Sequence, residues 1–308
     1  MGTIFGGAIK FLLYLRGWRF VVRLLSGPIC LAVVTQSCSK PFGSHVPGKS
    51  QVHNWKPIEY RPNQSLLFQR TKTTRRVDFD SIILDPGQIS LEIYSGWDRE
   101  RDANHDHTAL AFFSGPTFEV RNDVKPDGYT AHGDLKSARQ LVLSKNIAAS
   151  KERAYISIGS QGDLYFGFGQ LPEKALLSLR AYIGGLHSLT NHLVPAPPSY
   201  KGVYKTGLKM SDVRIIYGFR KDGRLEIIET KDGVYVDDLI SFVDKNGFLA
   251  AYLPDHASKS RLIIPYKRLW THQKAVWVSG GRPDITHMPL MIKVTTRQPS
   301  KVIYPPQS

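Results

Sequence analysis

The chain has 308 residues, 42% of them hydrophobic and 22% charged, with a net charge of +15. That length and composition suit a globular protein with a sizeable core and exclude a disordered or fibrous one. The charge does not mark a nucleic-acid binder: residues 1–76 hold twelve Lys and Arg against Glu59 alone, a net of +11, and only +4 falls on the rest.

Lys10, Arg16, Arg19 and Arg23 precede the uncharged apolar stretch Leu24 to Val34, which is followed by Thr35-Gln36-Ser37 and Cys38. A basic region, a short apolar core and a small-residue exit describe a signal peptide over residues 1–38, with an uncleaved membrane anchor as the alternative. The apolar core is short for a bilayer, and Gly27-Pro28 interrupts a spanning helix. Cys38, with the small Ser37 before it, is either the lipid acceptor of an exported lipoprotein or a chance cysteine. Both readings place the protein outside the cytoplasm, secreted or periplasmic, with the membrane as a partner through its N-terminal segment. Cys30 and Cys38 are the only cysteines, so the chain beyond them depends on its core rather than on disulfides. Residues 39–75, rich in Pro, Gly, Ser, Asn and basic side chains, read as a tether.

Val77 to Leu84 and Gln88 to Ser95 alternate polar and apolar residues about Asp85-Pro86-Gly87, which predicts a β-hairpin. Asn104-His105-Asp106-His107 offers two imidazoles at strand spacing, but two ligands without a third predict no metal site. Ala109 to Phe113 is a buried apolar run. A second hairpin spans Ala154 to Gly159 and Asp163 to Gly169, turning at Ser160-Gln161-Gly162. Pro172 to Ala181 reads as a helix with Pro in its first turn. Val194 to Gly202 is a Pro-rich surface loop.

The densest pattern begins at Val213. Val213 to Arg220 and Arg224 to Thr230 form a hairpin on Lys221-Asp222-Gly223, echoing the one before it. Val236, Leu239, Ile240 and Val243 fall at i, i+3, i+4 and i+7, the signature of a half-buried helix, with Asp237 and Asp238 in its first turn and Gly247 at its end. An apolar strand, Phe248 to Leu253, leads into the polar loop Pro254 to Ser258, and a further apolar run follows at Leu262 to Ile264. The fold class expected is α+β: one domain over residues 76–297 with an extensive mixed β-sheet built from hairpins and two main helices, then a tail over residues 298–308.

The order Arg214, Tyr217-Gly218, Asp222-Gly223, Leu239 to Phe242, Gly247, and a strand ending in Asp255 and Ser258 resembles the phosphodiester glycosidase domain family. The family pattern is an arginine opening a strand, a Gly and Asp-Gly hairpin, a helix, and a strand that ends in Asp-Gly-Gly-Gly-Ser. Here His256 and Ala257 stand where glycines would. An asparagine expected in the first half is replaced by Ser114, ahead of Gly115, or by Ala109 in another register, and Gly185 corresponds to a glycine of the family's Ser-Gly-Pro segment.

The resemblance implies hydrolysis of a sugar phosphodiester in an envelope glycan or glycolipid, with no cofactor. Asp255 and His256 would be catalytic, Arg214 would hold the phosphate, and Ser258, Ser114, Gly115 and Gly185 would bind substrate. The alternative is a non-catalytic envelope protein that binds an anionic glycan in the same cleft. No nucleic-acid partner is expected, and the oligomeric state is left open.

The leader yields the first prediction. Mass spectrometry of the membrane fraction should find the chain without its first ~38 residues. An intact Met1 to Cys38 in a cytoplasmic fraction would contradict it.

Overall fold

The computed structural model describes residues 66–72, 77–120, 129–131, 133–146, 151, 153–200, 202, 209–210, 213–231, 234–254, 259–282 and 287–297. The leader, Cys38, most of the tether and the residues Asp255, His256 and Ser258 lie outside the described residues.

In chain order the strands begin with β1 (Leu66–Lys72), β2 (Asp78–Leu84) and β3 (Ile89–Ser95). After helix α1 (Glu100–Asn104) come β4 (Ala111–Ser114), β5 (Phe118–Val120), β6 (Tyr129–Ala131), β7 (Leu135–Lys136) and β8 (Leu141–Val142). The hairpin β9 (Ala154–Ile158) and β10 (Leu164–Phe168) leads to α2 (Glu173–Ser178), the long β11 (Ala181–Asn191) and β12 (Lys209–Met210). The last part holds β13 (Ile215–Arg220), β14 (Leu225–Thr230), β15 (Val234–Tyr235), α3 (Val236–Lys245), β16 (Phe248–Leu253), β17 (Leu262–Ile263), α4 (His272–Val278) and β18 (Leu290–Thr296).

Two sheets carry the fold. Ten strands form the larger one in the order β1-β2-β14-β13-β16-β11-β7-β8, with β9 and β10 branching from β11, and four form the smaller one in the order β17-β4-β18-β3. The main core fills the space between them: Ile82, Leu84, Ile215, Tyr217 and Ile227 of the large sheet meet Leu91, Ile93, Phe113, Ile292 and Val294 of the small one. On its other face the large sheet presents Phe79, Ile216, Ile228 and Leu253 to α3. Strands β2, β13 and β14 are thus buried on both faces, which is why Ile82-Ile83-Leu84 runs apolar without a break.

The chain makes α3 as its periodicity dictates. Val236, Leu239, Phe242 and Val243 are buried, each such side chain contributing about 1.5–3 kcal/mol, while Ile240 packs at the margin. Asn246 caps the C-terminus through Nδ2 to the Phe242 carbonyl at 2.7 Å, and Gly247 follows with a φ of +72°.

Four expectations are revised. Every ladder between described strands is antiparallel, so the sheet is not mixed. The helical connection from β14 through α3 to β16 does join strands of one direction, but β13 pairs with both and separates them. Secondly, β2 and β3 are not a hairpin. The turn at Asp85 closes as expected, with Gln88 N–H donating to the Asp85 carbonyl at 3.0 Å, yet β2 enters the large sheet and β3 the small one.

The turn is instead a corner between layers, clamped by Arg180 Nη2 donating to the Pro86 carbonyl at 2.8 Å. Thirdly, α2 stops at Ser178, because the Arg180 N–H is captured by the Ile158 carbonyl at 2.8 Å and Ala181 already belongs to β11. Lastly, residues 66–72, read as tether, pair along β2 as β1.

A bulge in β11 brings backbone against backbone. The β9 register shifts between Ile183 and Leu186, Gly185 takes a φ of +76°, and a Cβ built on Gly133 would lie 2.2 Å from the Gly184 carbonyl carbon and the Gly185 nitrogen. Neither contact can yield, since both atoms are main chain. Gly133→Ala should therefore cost about 3 kcal/mol, read as a lower urea midpoint with an unchanged slope.

Candidate functional site

Where β4 ends, three segments meet. The Ser114 hydroxyl donates to the Lys259 carbonyl at 2.7 Å and accepts from the Arg261 N–H at 2.7 Å. The Ser114 N–H donates to the Arg261 carbonyl at 3.0 Å, and the Tyr217 hydroxyl donates to the Ser114 carbonyl. Beside this, the Ser260 hydroxyl donates to the Val213 carbonyl at 2.8 Å. The residues that follow the polar loop, Lys259 to Arg261, are thereby tied to Ser114 on one side and to the approach of Arg214 on the other. Leu253, just before the loop, ends β16 opposite His187 of β11.

The sequence-derived residues divide as follows. Ser114 is buried and its hydroxyl is engaged from both directions, so it fastens the loop rather than facing a ligand. Gly115 packs closely on the smaller sheet: a Cβ there would meet Leu290 Cδ1 at 2.6 Å, and that side chain would have to shift. Gly185 makes the bulge just beyond the His187–Leu253 pair. Arg214 continues the β13–β14 ladder: its N–H donates to Thr230 Oγ1 at 3.2 Å and its carbonyl accepts from the Thr230 N–H at 2.9 Å, and its Nε and Nη1 are shielded from solvent. Segments carrying Ser114, Arg214 and the two ends of the 255–258 loop are thus brought together. The loop's own side chains, Asp255, His256 and Ser258, lie outside the described residues.

Sequence reasoning missed the charges beneath this seam. Arg261 has no solvent exposure at all; its Nε donates to Glu100 Oε1 at 2.7 Å, its Nη1 to the Ser260 carbonyl at 3.1 Å, and its guanidinium lies 3.9 Å from the Trp270 ring centre. Burial works against its charge, and Glu100 is the first group to oppose that. Burial likewise lowers Lys259, with Arg261 adding repulsion, so that its ammonium is pushed down to about 8.

A second cluster sits at the adjoining strand ends, where Asp80 and Glu229 are direct partners across β2 and β14. Arg268 donates to Asp80 Oδ2 at 3.1 Å and also bonds Glu229. Lys231 reaches Asp80 at 3.2 Å, and Lys274 reaches Glu229 at 2.6 Å. Burial pushes the Asp80 carboxyl up, but Arg268 and Lys231 outweigh it and hold the group below its ordinary value. Lys274 is pushed down to about 8 by burial, despite Glu229. The signal for these groups was charge at strand positions that otherwise alternate apolar, as in Asp80 before Ser81-Ile82.

The histidines at 105 and 107 gather with no third ligand among the described residues. Among the described residues no group of three His, Cys, Asp or Glu side chains is placed to hold a metal ion. Asp106 instead accepts from Lys293 Nζ at 2.7 Å. Among the described residues no helix is long and apolar enough to cross a membrane.

This architecture has relatives of known structure. The catalytic domain of zebrafish N-acetylglucosamine-1-phosphodiester alpha-N-acetylglucosaminidase, auto-inhibited by its pro-peptide, is similar with a TM-score of 0.51 and 15% identity, over 76% of this chain and 82% of that one. A protein from Synechocystis matches with a TM-score of 0.51 and 11% identity, over 75% of this chain and 62% of that one. At these identities the likeness shows a common fold and nothing finer. No family model and no curated protein matches the chain.

The buried pair gives the prediction here. Glu100→Gln strands the Arg261 charge in the interior and should destabilise the protein by about 3–5 kcal/mol. Glu100→Leu with Arg261→Met removes both charges and should recover much of that loss in denaturant melts, whereas additive losses would contradict the pairing.

Proposed function

We propose that the protein is an exported hydrolase of the phosphodiester glycosidase type, acting on a sugar phosphodiester of an envelope glycan or glycolipid. The observation that carries this reading is the seam itself: Ser114, the Val213–Arg214 strand entry and the residues that follow the 255–258 loop are fastened to one another in a fold similar to the catalytic domain of a sugar phosphodiester glycosidase. In this reading Arg214 holds the phosphate through charge-assisted hydrogen bonds. Asp255 acts at the anomeric carbon, as nucleophile or general acid, while the bond from that carbon to the phosphate oxygen breaks and water supplies the new hydroxyl. His256 supplies a donor where the family pattern has a backbone amide next to glycine, and Ser258 orients the sugar. Ser114 and Gly185 act as positioning residues, since the first is engaged within the protein and the second shapes β11.

The second reading, a binding module for an anionic glycan, draws on the same seam. The described residue directly after the loop, Lys259, is basic, and the Ser114 hydroxyl is committed to main-chain groups.

Assaying the full chain against a panel of sugar 1-phosphodiesters separates the two. Hydrolysis by the parent is expected, with Asp255→Asn retaining binding and losing turnover, and Arg214→Ala weakening binding by about 2–3 kcal/mol. No hydrolysis by the parent, together with tighter anion binding by Asp255→Asn, would leave the binding module.

A further inference from the structure

A cleft of about 420 Å³ opens between α1 and the start of α4. That volume falls within the range of small-molecule sites. It is lined by Arg101, His105 and His272 together with Asn104, Trp270, Thr271 and Ala275. No acidic side chain lines it: Glu100 is committed to Arg261, Asp102 accepts from Arg99 at 3.1 Å, and Asp106 accepts from Lys293. An imidazole presents an N–H in either tautomer, so three donor-bearing side chains line this one cleft.

The aromatic wall is held in place before anything binds. Asn104 locks the backbone of Trp270 from both directions, donating to its carbonyl at 2.8 Å and accepting from its N–H at 2.6 Å. Arg261 covers the ring at 3.9 Å from within the protein. Such a ring loses little freedom when a ligand packs on its exposed part. The rim is also fixed: Tyr266, exposed and with a φ of +60°, donates its hydroxyl to the His105 carbonyl at 2.6 Å and meets the His105 ring edge-on.

We propose that this cleft binds an anionic sugar unit, its ring lying on Trp270 and its phosphate or carboxylate held by Arg101, His105 and His272. A flat apolar wall in a cleft lined by three donor side chains suits a ring that carries both a C–H face and a negative group. The inference does not depend on the function proposed above, because none of the lining residues belongs to the seam at Ser114. In that seam's chemistry the cleft would hold a neighbouring unit of an anionic glycan; without it, the cleft is a binding site in its own right.

Calorimetry on the full chain with glucose 1-phosphate, glucuronate, methyl glucoside and inorganic phosphate tests it. Glucose 1-phosphate and glucuronate should bind at least tenfold more tightly than methyl glucoside or inorganic phosphate. Arg101→Gln with His272→Gln, both exposed positions whose change leaves the core intact, should cost at least tenfold, and Trp270→Phe should remove the advantage over inorganic phosphate. Equal binding by the parent and the Arg101 and His272 double variant, or no preference for the anionic sugars, would each overturn the proposal.

Discussion

Arg261 is the group around which the two sheets are joined. Withdrawing a guanidinium fully from water costs several kcal/mol, and that cost is offset only if nearly every donor finds an acceptor in good geometry. Here the acceptors come from different parts of the chain: a carboxylate of α1, the main chain beside it, and the ring of Trp270. Its backbone completes the arrangement by pairing with Ser114 at the end of β4, while the Tyr217 hydroxyl reaches across from the large sheet to the same serine. An apolar residue at this position could fill the volume. It would not select one position of α1 and Trp270 relative to β4, and the directionality of the ion pair is what does so.

The Asp80–Glu229 pair poses the opposite electrostatic problem. Like charges directly across a ladder repel, and burial raises the repulsion because little water screens it. Arg268 bonds both carboxylates, while Lys231 shares Asp80 Oδ2 with it and Lys274 shares Glu229 Oε2. Two acids and three bases thus share the strand ends, and Glu229 also helps to hold the charge of Arg261. The two clusters form one electrostatic unit beneath the segments that carry Arg214 and Ser114.

Elements whose partners lie nearby were readable from sequence. The hairpins β9–β10 and β13–β14, helix α3 and strand β16 follow from turn chemistry and from periods of two and 3.6 residues, both local properties. Sheet membership is not local. The Asp85-Pro86-Gly87 turn looks the same whether its strands pair with each other or part into two sheets, and the one clue was the unbroken Ile82-Ile83-Leu84, which marks a strand covered on both faces. The candidate site shows the same division. Arg214 and Gly115 could be singled out by motif, but Arg261, Glu100, Asp80 and Glu229 gain their roles only from partners far along the chain, and a single sequence read in windows carries no trace of those contacts.

The corner after β2 has a consequence for how the protein is made. Ser81 bonds Glu226 at 2.6 Å across 145 residues, and Glu92 of β3 bonds Thr295 across 203. Two successive strands therefore turn away from each other: β2 can pair at once with β1, but its other edge and the whole of β3 wait for neighbours that are synthesised far later. Closing such long loops is slow compared with forming a hairpin, and no disulfide beyond Cys38 is available to hold an intermediate. A chain that ended before β18 would leave β3 with no neighbour in its sheet and β4 with β17 alone. The last of the described strands is the one that closes the smaller sheet, so β3 and one edge of β4 stay unpaired until it has been made.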